Sequence, residues 1–352
     1  MEIIKPNYYN DFSCLAGSCP ATCCAHWEVV IDQEVLRYYE TLEGDIGRLI
    51  REAMTEIDGD ICFGLQDGNC RMLRPDGLCK IQKELGHDAL CRSCALFPRF
   101  ITEVGIRREI GISLSCPEAA RLILTAKEPF SLCRELTDEP MTALHDISPS
   151  RIMAMRSLCT DALRLAQDQA LSFPCRCIAI ADLAASCSGS KRSSTAADTQ
   201  ISRAGSGGLA HFREALHRTM ADLEPLQPEI QQKLLRSLSL PLDNAGWEAP
   251  LPECPMLWQQ LLVYGIYKYI PRAMFDGAIW PAAVFALLMP LLLRQLIRAE
   301  GVQDVDALLR LAWSLSRELE HSEENMASLW QAFSRRVFRP AVIQSIFCAM
   351  EP

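Results

Sequence analysis

Residues 14–32 read CLAGSCPATCCAHWEVVID and place four cysteines close together. Cys23 and Cys24 are adjacent, and adjacent cysteines seldom bond to each other because the ring would strain the peptide between them. Their thiols can instead point at one centre or at two neighbouring ones. Further along the chain, Cys91 and Cys94 have the spacing with which two thiolates reach one metal from a tight turn. This pattern predicts a cysteine-ligated metal centre.

The cysteines are concentrated near the start of the chain. Seventeen are present, an odd number that a complete disulfide framework cannot use. The first residues lack the basic start and apolar run of a secretory signal, so we expect a cytoplasmic protein with reduced thiols. The candidate metal ligands are Cys14, Cys19, Cys23, Cys24, Cys62, Cys70, Cys79, Cys91, Cys94 and Cys116. We interpret the other seven cysteines as small buried hydrophobic residues.

The spacing leaves the metal open, because zinc and iron–sulfur clusters both accept four thiolates. Ten thiols are more than the four ligands that one four-coordinate site needs. Either two metal centres are present, or some of the thiols lie around a centre without binding it. Cys19, Cys23 and His26 nearly match the cluster motif of radical S-adenosylmethionine enzymes, but its third ligand would be a histidine. No alternation of strands and helices follows, which argues against such an enzyme.

The sequence predicts a mainly α-helical chain. A turn-rich cysteine-cluster region with a short hairpin spans residues 1–130, and connecting helices follow over 131–187. Residues 188–208 are rich in Ser and Gly and predict a flexible linker, and 209–352 form a bundle-like helical domain. The apolar stretch 277–293 is short for a bilayer and contains two prolines. It predicts a buried helix pair and no stable membrane insertion.

Local signals place several elements. Asp32 is predicted to cap a helix that Gly44 closes. Residues 99–114 predict a hairpin about Gly105, because Ile110, Ile112 and Leu114 alternate on one face. Ser115 and Glu118 have the spacing of a capping box before an apolar helix. Helical periodicity after the linker predicts helices at 209–224, 228–239, 255–270, 279–299, 302–319, 323–336 and 339–349.

The chain is acidic, with a formal net charge of −9. This charge argues against nucleic acid as a partner, since the phosphate backbone would be repelled. Residues 1–120 hold 12 Lys and Arg against 19 Asp and Glu, which is 12 − 19 = −7. An acidic N-terminal region suits a basic partner, although a solvated, soluble face is the simpler interpretation.

Three stretches carry a family resemblance: residues 14–32, residues 68–100 (GNCRMLRPDGLCKIQKELGHDALCRSCALFPRF) and residues 113–124 (SLSCPEAARLIL). Over roughly residues 1–130 the chain resembles the flagellin lysine-N-methylase family, part of a wider group with a CxxCxxCC-type zinc- or iron-chelating region. The resemblance implies methyl transfer from S-adenosylmethionine to lysines of flagellin, with a 4Fe-4S cluster. Nine cysteines take the family's positions, namely Cys14, Cys19, Cys23, Cys24, Cys70, Cys79, Cys91, Cys94 and Cys116. Cys62 resembles a further one.

Methyl transfer requires a deprotonated lysine that is aligned with the sulfonium methyl group. Candidate catalytic residues are Tyr8, Tyr9, Asp11 and His26, although structural packing or surface exposure is the favoured interpretation of each. No strand leads into a Gly-rich turn, so a Rossmann-type donor site is not expected. One alternative is a zinc-stabilised structural or adaptor protein that binds a protein partner through its helical domain. A redox or metal-handling protein that uses its thiols directly is another.

Overall fold

A computed structural model describes residues 1–139, 147–188, 206–243 and 247–351, and within them the chain is mainly helical, as predicted. The strands span Glu2–Pro6, Val29–Val30, Met54–Ile57, Asp60–Phe63, Leu65–Gln66, Asn69–Cys70, Arg99–Val104, Arg107–Ile112 and Leu132–Leu136. The helices span Gln33–Thr41, Gly44–Ala53, Lys80–Leu85, Arg92–Leu96, Pro117–Leu124, Pro149–Ala166, Phe173–Cys187, Ser206–Ala221, Pro228–Ser237, Leu257–Tyr269, Ala273–Asp276, Ile279–Glu300, Val305–Glu320, Glu323–Phe333 and Pro340–Cys348.

The predicted flexible linker falls largely outside the described residues. Its positions 189–205 lie there, so the prediction is not tested over that span. Its last three positions belong to the helix Ser206–Ala221, so the helical domain begins slightly earlier than its sequence indicated. The helix bounds that follow agree with the predicted periodicity to within about three residues.

Two hydrophobic cores divide the cysteine-cluster region. A small core runs from Val29 to Cys91 and contains Tyr39, Ile50 and Phe63. The large core joins the hairpin and the helix Pro117–Leu124 to the helical domain. The last part of the predicted region 1–130 therefore packs as one body with the helices that follow it, because its apolar face is buried there.

A four-stranded sheet joins the N-terminus to that large core. The predicted hairpin is confirmed, with Arg99–Val104 and Arg107–Ile112 antiparallel around Gly105 at φ 61°. Glu2–Pro6 lies beside it, parallel to Arg107–Ile112 and antiparallel to Leu132–Leu136. The hydroxyl of Tyr267 bonds the carbonyls of Ile4 and Ile110 at 3.1 and 3.0 Å, so it fixes the sheet to the helix Leu257–Tyr269.

The predicted helix cap at Asp32 is confirmed, but the predicted end of the same helix at Gly44 is not. The Oδ1 of Asp32 accepts a hydrogen bond from the Val35 backbone N–H at 3.2 Å, which starts the helix Gln33–Thr41. Gly44 does not close that helix. It begins the next one, Gly44–Ala53, at φ 76°, a conformation that glycine adopts without steric cost.

The predicted capping box at Ser115 is wrong. The helix begins at Pro117, and the Ser115 hydroxyl donates to the Ser113 hydroxyl at 2.9 Å instead of capping the helix. Glu118 pairs with Arg121 at 2.6 Å on the same helix. A proline at the first helical position starts this helix without a side-chain cap, because its missing N–H needs no partner there.

The long apolar stretch forms one helix, Ile279–Glu300, and not the predicted pair. Pro290 lies inside it. This helix is long and apolar enough to cross a membrane, and 89% of its apolar window is buried within the protein. Burial against neighbouring helices therefore accounts for its composition.

The close approach of the helices Leu257–Tyr269 and Ile279–Glu300 at Gly265 allows a stability test. A Cβ atom added at Gly265 would lie 2.8 Å from the Ala286 Cα and 2.9 Å from its Cβ. We expect Gly265→Ala to lower the free energy of unfolding by about 1–3 kcal/mol, because two helix backbones would have to separate. Urea denaturation measures this.

The same substitution at Gly17 is the control, since the nearest atoms there are 3.9 Å away. Gly17→Ala should stay within about 0.5 kcal/mol of the unmodified protein. Equal stability of the two variants would contradict the described packing of Gly265 against Ala286.

Candidate metal centre

Six cysteines line one cavity, which we call the thiol chamber. Its volume is about 70 Å³, roughly that of two water molecules. Its thiols are those of Cys23, Cys24, Cys70, Cys79, Cys91 and Cys94. The remaining lining residues, apart from Gln82, are apolar or aromatic: Trp27, Val29, Tyr39, Phe63, Met72, Ile81, Leu90 and Phe97. The chamber brings together sequence segments that lie up to about seventy residues apart.

Backbone hydrogen bonds hold the adjacent cysteines beside Cys70. The Cys70 N–H donates to the Cys24 carbonyl at 2.8 Å. One step further out, the His26 N–H donates to the Gly68 carbonyl at 2.8 Å. These backbone hydrogen bonds hold the loop with Cys23 and Cys24 in a fixed position relative to the loop with Cys70.

Two chamber cysteines precede short helices. Cys79 immediately precedes Lys80–Leu85, and Cys91 precedes Arg92–Leu96. Asp32 fixes the second of these helix starts, because its Oδ2 accepts a hydrogen bond from the Arg92 N–H at 2.7 Å. Burial raises the pKa of Cys79, and hydrogen bonds from the backbone N–H groups of Gln82 and Ile81 at the helix start oppose this, since they favour the thiolate.

The chamber thiols pair with one another through hydrogen bonds. The bond between Cys23 and Cys24 lowers the pKa of Cys23 to about 7 and raises the pKa of Cys24. The corresponding bond between Cys91 and Cys94 lowers the pKa of Cys91 and raises that of Cys94. In each pair one sulfur therefore loses its proton more easily than its neighbour, and a metal ligand must be deprotonated.

Three further candidates form a second group, the outer thiols Cys14, Cys19 and Cys116. They do not line the chamber, but they interact electrostatically with one another. Cys14 is exposed and Cys116 is buried, and burial raises the pKa of Cys116 to about 11. Arg317 interacts electrostatically with Cys19 and Cys116 as well as with Cys23. The ten predicted ligands therefore fall into an inner six, an outer three and one remaining cysteine.

That remaining cysteine is Cys62. It lies on the strand Asp60–Phe63 and is only 3% exposed. Burial raises its pKa, followed by the nearby carboxylates of Asp60 and Glu28. Cys62 therefore belongs neither to the chamber thiols nor to the outer thiols.

The donor chemistry of the chamber fits a thiophilic metal centre. Six sulfurs and an apolar wall suit zinc or an iron–sulfur cluster better than hard cations, which prefer oxygen. Among the described residues, no three His, Cys, Asp or Glu side chains converge as a finished metal site. Cys23, Cys24, Cys91 and Cys94 already line the chamber, so binding a centre would replace their thiol–thiol hydrogen bonds with bonds to the metal.

The four predicted catalytic candidates lie outside the chamber lining. Tyr8 is buried in the large core against Phe130, and burial raises its pKa. Tyr9 is partly buried and Asp11 is exposed. The exposed side chain of His26 lies beside Gly68, and its backbone adopts φ 68°. Packing or surface placement accounts for each of them.

The structure adds two residues that local sequence patterns did not indicate. His321 stacks on Trp27 at 4.7 Å and lies edge-on to Phe97 at 6.0 Å, so it covers two lining residues of the chamber. Burial lowers the pKa of His321 to about 3, so its imidazole is neutral. Arg317 lies one turn earlier and contacts the cysteine loops. Both are some 300 residues from Cys23, where spacing carries no signal.

The seven cysteines outside the cluster region have mixed environments. Cys177 and Cys254 are buried, as predicted. Cys133, Cys187 and Cys348 are exposed, so the buried interpretation is wrong for them, because they face outward from their strand or helices.

Part of this chain is similar to proteins that are named for lysine methylation or for flagellar biosynthesis. It is 28% identical over 139 residues to the flagellar biosynthetic protein FliU of Salmonella muenchen, which covers 38% of this chain and 82% of that protein. It is 29% identical over 140 residues to the lysine-N-methylases of Salmonella choleraesuis and Salmonella typhimurium. That match covers 38% of this chain and 35% of each methylase.

The match supports the resemblance to flagellin lysine-N-methylases, over a little more than a third of the lysine-N-methylases' own length. No family model matches the chain, and no solved structure matches it. The fold described above therefore rests on its own packing and hydrogen bonding.

The division of the thiols predicts unequal effects of substitution. We expect Cys24→Ala and Cys94→Ala to lose most of the bound metal, because both remove a sulfur from the chamber wall. Cys62→Ala should retain it, because Cys62 lies apart from both groups. Metal analysis of anaerobically purified protein measures this. Metal loss in Cys62→Ala equal to that in Cys94→Ala would contradict the assignment.

Proposed function

We propose that this protein is a cytoplasmic lysine methylase that acts on flagellin, uses S-adenosylmethionine and depends on an iron–sulfur centre held by its cysteines. The observation that carries the proposal is the thiol chamber, in which six cysteines of the family-like motifs converge on one apolar cavity. The similarity to lysine-N-methylases and to FliU supports the reaction and the substrate.

The chamber residues would hold the centre through sulfur. Cys24, Cys70, Cys79 and Cys94 are partly or fully buried, and the apolar wall keeps water away from them. When bound, an iron–sulfur centre would cross-link the loops, and hydrogen bonds to its sulfurs would help to set its reduction potential. Zinc is the alternative occupant of the same sulfurs.

The methyl donor requires a larger site than the chamber. A cavity of about 70 Å³ is smaller than typical small-molecule sites, which are roughly 300–1,000 Å³. An open groove of about 690 Å³ lies between the strand Leu132–Leu136 and the end of the helix Pro149–Ala166. Its lining includes Phe130, Arg164 and Asp168, which offer an aromatic wall and both charges. We assign the methyl donor to this groove.

The groove also suits a lysine side chain. In the reaction the lysine nitrogen attacks the methyl carbon as the carbon–sulfur bond breaks, and the products are methyl-lysine, S-adenosylhomocysteine and a proton. The Asp168 carboxylate would attract the ammonium group, and its Oδ1 is oriented by the Ala170 N–H at 2.9 Å. Contact with Phe130 and Leu132 would then favour the neutral amine, since an apolar wall disfavours charge.

A second candidate function is a metal-stabilised adaptor. The small volume of the chamber favours it, because a site of this size can order loops without admitting a substrate. His321, Trp27 and Phe97 pack over one side of the chamber, which suits a structural centre. In this case the helical domain would bind the protein partner and the thiols would only hold the fold.

The central test is mass spectrometry of flagellin after incubation with anaerobic protein and S-adenosylmethionine. We expect mass increments of single methyl groups on lysines. They should disappear with Cys94→Ala and persist with Cys348→Ala, which removes an exposed cysteine outside the chamber. Flagellin that is bound but unmodified by metal-loaded protein would favour the adaptor function.

The groove assignment has its own test. Asp168→Asn should lower the methylation rate about tenfold or more, because it removes the charge that attracts the lysine. Metal content should not change, since Asp168 lies outside the chamber. Asp222→Asn, at an exposed position just after the helix Ser206–Ala221 and outside the groove lining, is the control. Equal methylation rates for the two variants would exclude the groove as the site of transfer.

A further inference from the structure

Arg317 connects the helical domain to both groups of cysteines. It lies near the end of the helix Val305–Glu320, and its side chain is only 6% exposed. Its Nε donates to the carbonyl of Ser115 at 2.8 Å, and its Nη1 donates to the carbonyl of Thr22 at 3.1 Å. These carbonyls immediately precede Cys116 and Cys23. One guanidinium therefore ties an outer cysteine loop and a chamber loop to the same helix.

The remaining arm of this guanidinium lacks a partner. The Nη2 of Arg317 is buried and makes no hydrogen bond within the described residues. No carboxylate forms an ion pair with Arg317 in the described part of the chain. Leaving a buried charged donor unpaired costs free energy, so a native arginine in this position ordinarily faces a negative group.

Thiols are the groups around Arg317 that can become negative. It interacts electrostatically with Cys23, Cys116, Cys19 and Cys24, in decreasing order. Metal binding would convert these thiols to thiolates, since a metal ligand must be deprotonated. A guanidinium is well suited to such a site, because its planar fork bonds several acceptors at once.

We propose that the Nη2 of Arg317 donates a hydrogen bond to the metal-bound sulfur of Cys23, so that its positive charge stabilises the thiolate-rich centre. Arg317 is then a positioning residue that also offsets the charge of the ligands. This inference rests on the proposed centre but not on methyl transfer, and it holds for iron–sulfur or zinc. It adds to the cysteine motif a residue from the distant end of the chain.

A purely structural role for Arg317 makes a different prediction. If only the two bonds to the carbonyls of Thr22 and Ser115 matter, Lys and Gln should be equally poor replacements, because neither reproduces the fork. If the charge near sulfur matters, Lys should preserve the centre and Gln should not. The pair Arg317→Lys and Arg317→Gln therefore separates charge from bracing.

The experiment compares metal release from the full-length protein to an excess of chelator, followed by absorbance. We expect Arg317→Gln to release its metal about 10–100 times faster than the unmodified protein, as when a residue supporting a metal ligand is lost. Arg317→Lys should remain within a few-fold of it. Arg310→Gln, a change at an exposed position on the same helix, should not alter the rate.

A second readout applies if the centre is iron–sulfur. Loss of a positive donor near sulfur makes reduction less favourable, so Arg317→Gln should have a more negative reduction potential than Arg317→Lys. Equal release rates and potentials for Lys and Gln would overturn the proposal. If Arg317→Gln cannot be purified, Arg317→Lys still decides, because release ten times faster than normal would show that bracing alone holds the centre.

The outcome is separable from that of the proposed function. A metal-loaded protein that fails to methylate flagellin, yet shows the Lys and Gln difference, contradicts the enzyme and supports this role of Arg317. A protein that methylates flagellin but whose Arg317→Lys and Arg317→Gln variants release metal at the same rate supports the enzyme and contradicts this role of Arg317. Protein that binds neither iron nor zinc overturns the role of Arg317.

Discussion

The structure of the loops between Cys23 and Cys94 depends on what binds the six thiols that line the chamber. The core beneath them is much smaller than that of the helical domain, and the helices that follow Cys79 and Cys91 are only six and five residues long. Helices of this length are marginal on their own. A bound centre would hold the segments together as a cross-link does, so that binding and local folding are coupled.

The helical domain supplies the rigid side of this arrangement. The buried ion pair of Lys268 and Glu320, with the hydroxyl of Tyr264, fixes the end of the helix Val305–Glu320. Tyr264 also accepts a hydrogen bond from the Leu114 N–H at 3.2 Å, directly before the Ser115 and Cys116 loop. The same buried network therefore sets the position of Arg317 on one side and of Cys116 on the other.

Local sequence patterns predicted the parts of this fold that depend on neighbouring residues. The cap at Asp32, the hairpin about Gly105 and the helices after residue 209 belong to this class. Patterns could not predict the pairing of Glu2–Pro6 with two distant strands, because its partners follow more than a hundred residues later. Cysteine spacing identified the thiols but did not separate Cys62, which lies near the carboxylates of Asp60 and Glu28 and away from the other thiols. Sequence patterns could not predict the roles of Arg317 and His321 either, because only tertiary packing brings these residues close to the cysteines.

The account stands on the claim that the thiol chamber binds a metal through sulfur. X-ray absorption at the metal edge of anaerobically purified protein tests it most directly, because the first coordination shell reports which atoms bind. We predict a shell of sulfur neighbours at thiolate distances, about 2.3 Å. A shell dominated by nitrogen or oxygen, or protein that carries no metal, would contradict the assignment of the chamber.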